Sequence, residues 1–378
     1  MAREIRFGII GCGLMGKEFA SAAMRWGHLD MDIAKPVISG ACDTQPAARQ
    51  WFEKNLPTLK YSADDYRTLL DAADIDAIYC SVPHNLHEKI YTDVIKAGKH
   101  LMGEKPFGID YSANKNILEC VNANPQVFVR CCSQFPYFPA CQMLIQWLKE
   151  NRFGRIISVK AGFLHSSDMD IHKPINWKRD IHINGEYGCM GDLGIHTQHI
   201  PFRFGWVPKT VYASLSNIVT HRKDREGNLQ ECKTWDNATL SCMVEKDGYD
   251  FPMVLETKRM SPGSTNEWYI KVEGMDTSAY FNTNDPNAFH YLQVTGKEQA
   301  WCRLNVGYRT AFPVITGSIF EFGFPDAILQ MWAAFMLELE GKHVDFGCVT
   351  PAETKMSHLL ISAALKSHEN RSVEEIHL

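Results

Sequence analysis

The stretch IRFGIIGCGLMG (residues 5–16) decides the fold class of the first third of the chain. Its apolar first half predicts a buried strand, and three glycines in the spacing GxGxxG follow before a helical pattern. The first glycine permits a tight turn, the second lets the backbone approach a pyrophosphate, and the third allows close packing of helix on strand. Free amide groups at the helix start then face the phosphates. The predicted dinucleotide-binding turn comprises Gly11, Gly13, Leu14, Met15 and Gly16.

An acidic residue ends the second predicted strand. Pro36 to Cys42 is apolar and β-prone, and Asp43 follows it directly. A carboxylate at this place bonds the adenosine ribose hydroxyls and repels a 2′-phosphate, so NAD is predicted rather than NADP. Asp43 lies 27 residues beyond Gly16, and we interpret residues 27–34 as an inserted loop.

The alternation of strands and helices changes along the 378 residues. Short apolar strands at 77–82, 100–102 and 127–129 are separated by helical patterns, which is typical of a parallel sheet built from βαβ units. Beyond Pro139 the segments alternate between apolar and polar residues and are linked by turns, which predicts a larger antiparallel sheet. We therefore predict an α/β Rossmann domain (1–130) and an α+β domain (131–378). Helices near the C-terminus are expected to pack on one or both domains.

Composition excludes several classes of protein. The net charge is −5 and no long basic run occurs, so neither nucleic acid nor a membrane is an expected partner. No run of 18 apolar residues or N-terminal signal pattern is present, so we expect a chain that is neither exported nor membrane-spanning. The twelve cysteines are scattered without a CxxC pair, which favours reduced thiols in the cytoplasm. No ordered set of metal ligands is visible, and no metal is predicted.

Two further segments carry a resemblance to a known family. SVPHNLH (81–87) is followed by KAGKHLMGEKP (96–106), and together they resemble the glucose–fructose oxidoreductase / inositol dehydrogenase (Gfo/Idh/MocA) family. The family pattern has TPN where this chain has Val-Pro-His, whereas the EKP match is complete. The resemblance extends to WKRD (177–180) and DLGIH (192–196) and covers essentially the whole chain.

The resemblance implies a Rossmann domain followed by a domain with an open, mainly antiparallel sheet that commonly supports oligomers. A homo-oligomer, dimer or tetramer, is therefore expected. The family pattern also implies that a cis bond precedes Pro106 and aims the lysine before it into the cleft. The additional cofactor-binding residues that it implies are Ser81, Pro83, His84, His87, Glu104 and Lys105.

The catalytic residues implied by the motifs are Lys105, Asp192 and His196. Asp192 and His196 are spaced i, i+4 and share a helix face, where a carboxylate would orient the imidazole and raise its basicity. Lys105 and His196 are both able to exchange a proton with a substrate hydroxyl, and the sequence leaves the principal base open. The chain has Gly-Glu-Tyr-Gly at 185–188 where the family usually has three glycines.

A segment rich in aromatic residues and histidine precedes this helix. It favours hydrogen bonding and stacking with a polyhydroxylated substrate over metal binding. The predicted substrate-binding residues are Lys105, Tyr137, Trp177, Arg179, Asp192 and His196.

These residues predict an NAD-dependent oxidoreductase that transfers hydride between a secondary ring hydroxyl of a sugar, polyol or glycoside and NAD. Within the family, the segment before Asp192 is similar to members that oxidise C3 of glucosides. Two alternatives stay open. One is a glycoside hydrolase that uses NAD for transient oxidation and elimination, and the other is a non-catalytic NAD-binding regulatory protein.

Overall fold

The computed structural model describes residues 3–307, 309–317 and 319–377. Two sheets organise them, a six-stranded sheet in the first third of the chain and a nine-stranded sheet beyond it. A small two-stranded ribbon stands apart from both, formed by β9 (His221–Lys223) and β10 (Leu229–Glu231).

The first sheet is entirely parallel, in the strand order β3-β2-β1-β4-β5-β6. This is the Rossmann arrangement, and it confirms the predicted α/β class of this part. The strands are β1 (Glu4–Ile10), β2 (Lys35–Cys42), β3 (Tyr61–Ala63), β4 (Ala77–Cys80), β5 (His100–Gly103) and β6 (Val129–Cys131). The helices between them are α1 (Leu14–Met24), α2 (Pro46–Asn55), α3 (Arg67–Asp71), α4 (His87–Lys96) and α5 (Tyr111–Ala123).

The second sheet is mainly antiparallel, as predicted, in the order β16-β15-β14-β13-β7-β12-β11-β8-β17. Only β7 and β12 run parallel to each other among its described strands. The strands are β7 (Ile156–Leu164), β8 (Pro208–Ser216), β11 (Asn237–Lys246), β12 (Tyr249–Lys258), β13 (Glu267–Gly274), β14 (Thr277–Asn282), β15 (Ala288–Gln293), β16 (Cys302–Asn305) and β17 (Glu374–Glu375).

One face of this sheet is covered by helices, and no helix of the described ranges packs on the other. Side chains alternate along the strands between buried and exposed, because successive residues point to opposite faces. Three helices pack on the inner face: α6 (Pro139–Lys149), α8 (Cys189–Arg203) and α10 (Pro351–Asn370). A short helix, α7 (Ile181–Asn184), leads into α8. The uncovered face, called the outer face below, carries Tyr212, Met243, Tyr269, Tyr280 and Trp301.

The remaining helix, α9 (Phe324–Leu339), packs back on the parallel sheet. The ring of Trp332 lies 4.8 Å from that of Phe7 in β1 and also contacts Phe19 in α1. All three side chains are buried in one apolar cluster. The last part of the chain therefore completes the core of the first part.

None of the helices in the described ranges combines the length and the apolar character that a bilayer crossing requires. All twelve cysteines lie in the described ranges and are free thiols, and all but Cys302 are buried.

Candidate functional site

The turn after β1 is shaped for a close approach of a ligand. Gly11 has φ +96°, and a Cβ there would collide with the carbonyl of Ser81. A Cβ on Gly16 would collide with the carbonyl of Gly11, whereas one on Gly13 would meet no atom within 4 Å. Gly13 is the N-cap of α1 and no side chain caps the helix start. Uncapped amides beside open space fit a pyrophosphate.

Leu14 and Met15 form the first residues of α1. The Leu14 side chain is 75% exposed at the turn, and Met15 is half-buried against the core of the parallel sheet. Their backbone amides belong to the uncapped helix start.

Asp43 lies beside the same turn. Its Oδ2 accepts the amide of Cys12 at 2.9 Å, and its Oδ1 accepts the amide of Gln45 at 2.9 Å. The carboxylate is therefore held between the phosphate turn and the start of α2, where the predicted contact to ribose hydroxyls requires it. Arg49 of α2 donates to the carbonyl of Asp43.

The turn after β4 lies against the phosphate turn, and the region bounded by these two turns, Lys105 and Asp192 is called the cleft below. Ser81 Oγ donates to the carbonyl of Gly11 at 2.9 Å, which ties this turn to the phosphate turn. Pro83 opens a 3-10 turn, His84–Leu86. The Nδ1 of His84 lies 3.0 Å from the carbonyl of Asn184, and burial holds the pKa of His84 well below its usual range.

His87 differs from its expected role in cofactor binding. It is fully buried; its Nε2 lies 3.1 Å from the carbonyl of Val82, and its Nδ1 accepts the amide of Gly108 at 3.3 Å. Both ring nitrogens are therefore used by the backbone. His87 shapes the turn from behind, and burial lowers its pKa to about 3.

Glu104 and Lys105 directly follow β5 and have different surroundings. Glu104 is buried; it accepts the hydroxyl of Tyr79 at 2.8 Å and the amide of Lys105 at 3.3 Å. Its carboxylate thus anchors the loop from inside. The Lys105–Pro106 bond is cis, as the family resemblance implied.

Asp192 is the centre of the candidate site. One of its oxygens accepts Lys105 Nζ at 2.6 Å, and the other accepts Lys178 Nζ at 2.7 Å and Arg259 Nη2 at 3.2 Å. Burial would raise the pKa of Asp192, but the charges of Lys105, Lys178 and Arg259 hold it well below its usual range. Asp192 is therefore an ionised carboxylate that orients cations.

This arrangement corrects the expected pairing of Asp192 with His196. The Nδ1 of His196 lies 3.4 Å from Ser133 Oγ, and the hydrogen-bond partners of Asp192 are the three cations. The imidazole stands edge-on to Phe135 and Phe163. Asp192 and His196 share a helix face, but both oxygens of the carboxylate already accept hydrogen bonds from cations of three other segments. Burial, and then the charge of Lys105, hold the pKa of His196 well below its usual range, so the ring is neutral.

Lys178 and Arg259 were not among the predicted site residues. Lys178 lies in the 3-10 turn Trp177–Arg179, between two residues that were predicted. Arg259 directly follows β12, far along the chain from Asp192, and no local motif marks it. Burial lowers the pKa of Lys178, opposed by the charge of Asp192. Trp177 is half-buried, with its ring 5.1 Å from that of His84, beside the same cleft.

Two predicted substrate contacts do not fit the structure. Arg179 is completely buried and forms ion pairs with Asp168, at 2.9 Å, and with Asp236. Tyr137 is completely buried, and its hydroxyl lies 3.7 Å from Cys348 Sγ. Both side chains are completely buried, and the partners of their ion pairs and hydrogen bond are buried as well, so we interpret both residues as structural.

No cluster of three His, Cys, Asp or Glu side chains that could bind a metal ion occurs in the part of the chain that the structure describes.

The chain is similar to known proteins over most of its length. Levoglucosan dehydrogenase of Pseudarthrobacter phenanthrenivorans is 26% identical over 85% of this chain and 82% of its own length. Glucose-6-phosphate 3-dehydrogenase of Bacillus subtilis is 22% identical over 72% of this chain and 78% of its own. A solved structure of levoglucosan dehydrogenase in complex with NADH shares the fold, with a TM-score of 0.88 at 20% identity over 99% of this chain and 100% of that one.

Residues 5–130 match the family model for oxidoreductases of the Gfo/Idh/MocA type with an NAD-binding Rossmann fold. The match covers the parallel sheet and both turns that line the cleft, and the likeness in fold covers the rest. The first third of the chain therefore matches the NAD-binding Rossmann part of the Gfo/Idh/MocA oxidoreductases.

Proposed function

We propose that this protein is an NAD-dependent sugar dehydrogenase that oxidises a secondary ring hydroxyl of a sugar, polyol or glycoside. The observation that carries the proposal is the Lys105 ammonium, held 2.6 Å from the ionised Asp192 and 18% exposed at the cleft. The activities in the names of the two relatives, on levoglucosan and at position 3 of glucose 6-phosphate, support a sugar hydroxyl as the reacting group. Oxidation at C3 of a glucoside is the finer form of the proposal.

We assign cofactor binding to the glycine turn, the uncapped start of α1 and Asp43. When bound, NAD supplies the acceptor for the hydride that leaves the carbinol carbon. Lys105 donates a hydrogen bond to the carbinol oxygen and stabilises the negative charge that develops there.

The hydroxyl proton needs an acceptor, and we assign it to His196. The imidazole is neutral and contacts Ser133 through Nδ1, and no hydrogen bond to its Nε2 occurs among the described residues. Lys105, in its ion pair with Asp192, is better suited to donate than to accept. One C–H bond and one O–H bond break, and the product is a ketone.

The test is a panel of sugars, polyols and glycosides incubated with the protein and NAD, with products analysed by mass. Loss of two hydrogens, together with NADH absorbance, is the expected result. Release of an aglycone without net oxidation would instead identify the transient-oxidation hydrolase. Cofactor binding without turnover of any compound would identify a regulatory protein.

For the cofactor, we expect Asp43→Ala to weaken NAD binding by about 10- to 100-fold, since the ribose loses a charged hydrogen-bond acceptor. NADP binding should improve at the same time, because the repulsion of the 2′-phosphate is removed and Arg49 remains nearby. Fluorescence titration of both dinucleotides measures the two effects, with Asp71→Ala in α3 as an exposed control. A wild-type preference for NADP would contradict the assignment.

For assembly, we propose a homo-oligomer, dimer or tetramer, formed through the outer face. This face combines the exposed side chains of Tyr212, Met243 and Trp301 with ion pairs, such as that of Lys258 with Glu256 at 2.6 Å. We expect sedimentation at micromolar concentration to show a dimer or larger species. Paired Tyr212→Glu and Met243→Glu substitutions should dissociate it, whereas Leu229→Glu on the β9–β10 ribbon should not. A wild-type monomer would refute the proposal.

We also propose a cytoplasmic location, since every cysteine is a free thiol and all but one are buried.

A further inference from the structure

Two ammonium groups, not one, face the cleft. Lys105 and Lys178 lie on the two oxygens of the same carboxylate, that of Asp192, and their side chains are 18% and 39% exposed. The third cation on this carboxylate, Arg259, is only 2% exposed and is therefore no candidate for direct contact with a substrate.

Both lysines have N–H donors beyond the one that Asp192 accepts. An ammonium group has three N–H donors, and each Nζ makes one hydrogen bond, to Asp192, among the described residues. The remaining donors require acceptors in the cleft when water is displaced, since an unpaired buried donor is costly. One acceptor is the reacting oxygen, assigned to Lys105. The other ammonium needs a second oxygen close to the first.

The backbone of Lys178 is fixed by several hydrogen bonds. Its amide donates to Asn176 Oδ1 at 3.0 Å. Its carbonyl accepts Thr234 Oγ1 at 2.9 Å and Arg259 Nη1 at 3.1 Å. The next residue, Arg179, is anchored by its buried ion pairs with Asp168 and Asp236. The backbone under Lys178 is thus fixed on both sides, and a fixed donor discriminates between substrates.

We infer that Lys178 is a substrate-binding residue that selects vicinal diols: it donates to the hydroxyl on a ring carbon next to the one that Lys105 and His196 oxidise. The inference rests on the proposed function. The two oxygens of the Asp192 carboxylate are close together, so the two ammonium groups that contact them lie side by side. Donors side by side are what two oxygens on adjacent ring carbons require. A ring that lacks the neighbouring hydroxyl leaves the Lys178 donors unpaired.

The experiment compares glucose with its 2-deoxy, 3-deoxy and 4-deoxy analogues, each with wild type and Lys178→Met. The analogue without the reacting hydroxyl gives no turnover with either protein and so identifies the oxidised carbon. With wild type, an analogue that lacks a neighbouring hydroxyl should lose about 10- to 100-fold in kcat/KM relative to glucose. Lys178→Met should lose a similar factor on glucose and show no further loss on that analogue.

This comparison of two proteins on two substrates distinguishes a lost contact to the neighbouring hydroxyl from a general loss of activity. A disturbed Asp192 or an altered fold would lower kcat/KM for glucose and for its analogues by the same factor. Lys178→Arg should restore part of the discrimination, and Lys173→Met, at a lysine that is paired with Asp168 at 3.6 Å, should leave it as in wild type. Equal discrimination by wild type and Lys178→Met against every reacting analogue would overturn the inference and leave the dehydrogenase proposal standing. NAD reduction by none of the sugars of the wider panel would overturn both.

Discussion

Lys105→Met is expected to lower turnover of the best sugar by about 10²- to 10⁴-fold, the usual range for a group that handles charge and protons at the reacting atoms. The methionine keeps the length of the side chain but removes the donor to the carbinol oxygen. NAD affinity and melting temperature should stay near wild type. Asp192 still has Lys178 and Arg259 as partners in the variant, so its carboxylate is not left unpaired.

Stopped-flow measurement of NADH formation, with NAD binding measured separately, tests this expectation. Lys96→Met, an exposed lysine at the end of α4, is the matched control and should keep wild-type turnover. His196→Ala should show a loss of similar size if the imidazole accepts the proton. If Lys105→Met retained more than about a third of wild-type turnover, its assigned role would be wrong.

Asp192→Asn should cost both activity and stability. The variant leaves three cations without their shared counter-charge, and removal of one partner from a buried ion pair typically costs about 3 kcal/mol of unfolding free energy. Turnover should fall by about 10²-fold or more, because Lys105 is no longer held on its carboxylate. Urea unfolding and steady-state kinetics measure the two effects.

The stability effect should depend on pH in a defined direction. The pKa of Asp192 is held well below its usual range, so the stability that its charge contributes is present above about pH 4 and is lost as the pH falls further. The difference between wild type and Asp192→Asn should therefore be large at pH 7 and shrink on acidification.

Two further variants delimit this result. Asp74→Asn, which removes a partly exposed partner of Lys60, should leave the midpoint of urea unfolding near that of wild type. The double variant Asp192→Asn, Lys105→Met should regain part of the stability, since one unpaired cation is gone, but none of the turnover. If Asp192→Asn were as stable as wild type at pH 7, the description of Asp192 as the carboxylate that holds three cations would be wrong.

Local sequence was enough to predict the parallel sheet and the cofactor turn. Gly11 and Gly16 are required by backbone geometry within one strand, turn and helix, and Gly13 leaves space for a close approach of the pyrophosphate, so the spacing of the three glycines carries the information. Elements without a strong local pattern were missed. Helix α5 contains three asparagines, and it is stabilised by the Asp110 cap and by packing against α10. The short strands β3, β14, β15 and β16 were missed as well.

The sequence by itself determined the two-part fold and the nucleotide turn, and it predicted Lys105, Asp192 and His196 as site residues. Each rests on residues close together in the chain, where covalent geometry and helical or strand periodicity set the outcome. Only the tertiary structure decided which side chains meet. Arg259, 67 residues after Asp192, is the third cation that contacts the Asp192 carboxylate. The imidazole of His196, which was expected to pair with that carboxylate, contacts Ser133. Such contacts depend on which segments the core brings together. The spacing of residues within a short stretch of sequence contains no information on that long-range packing.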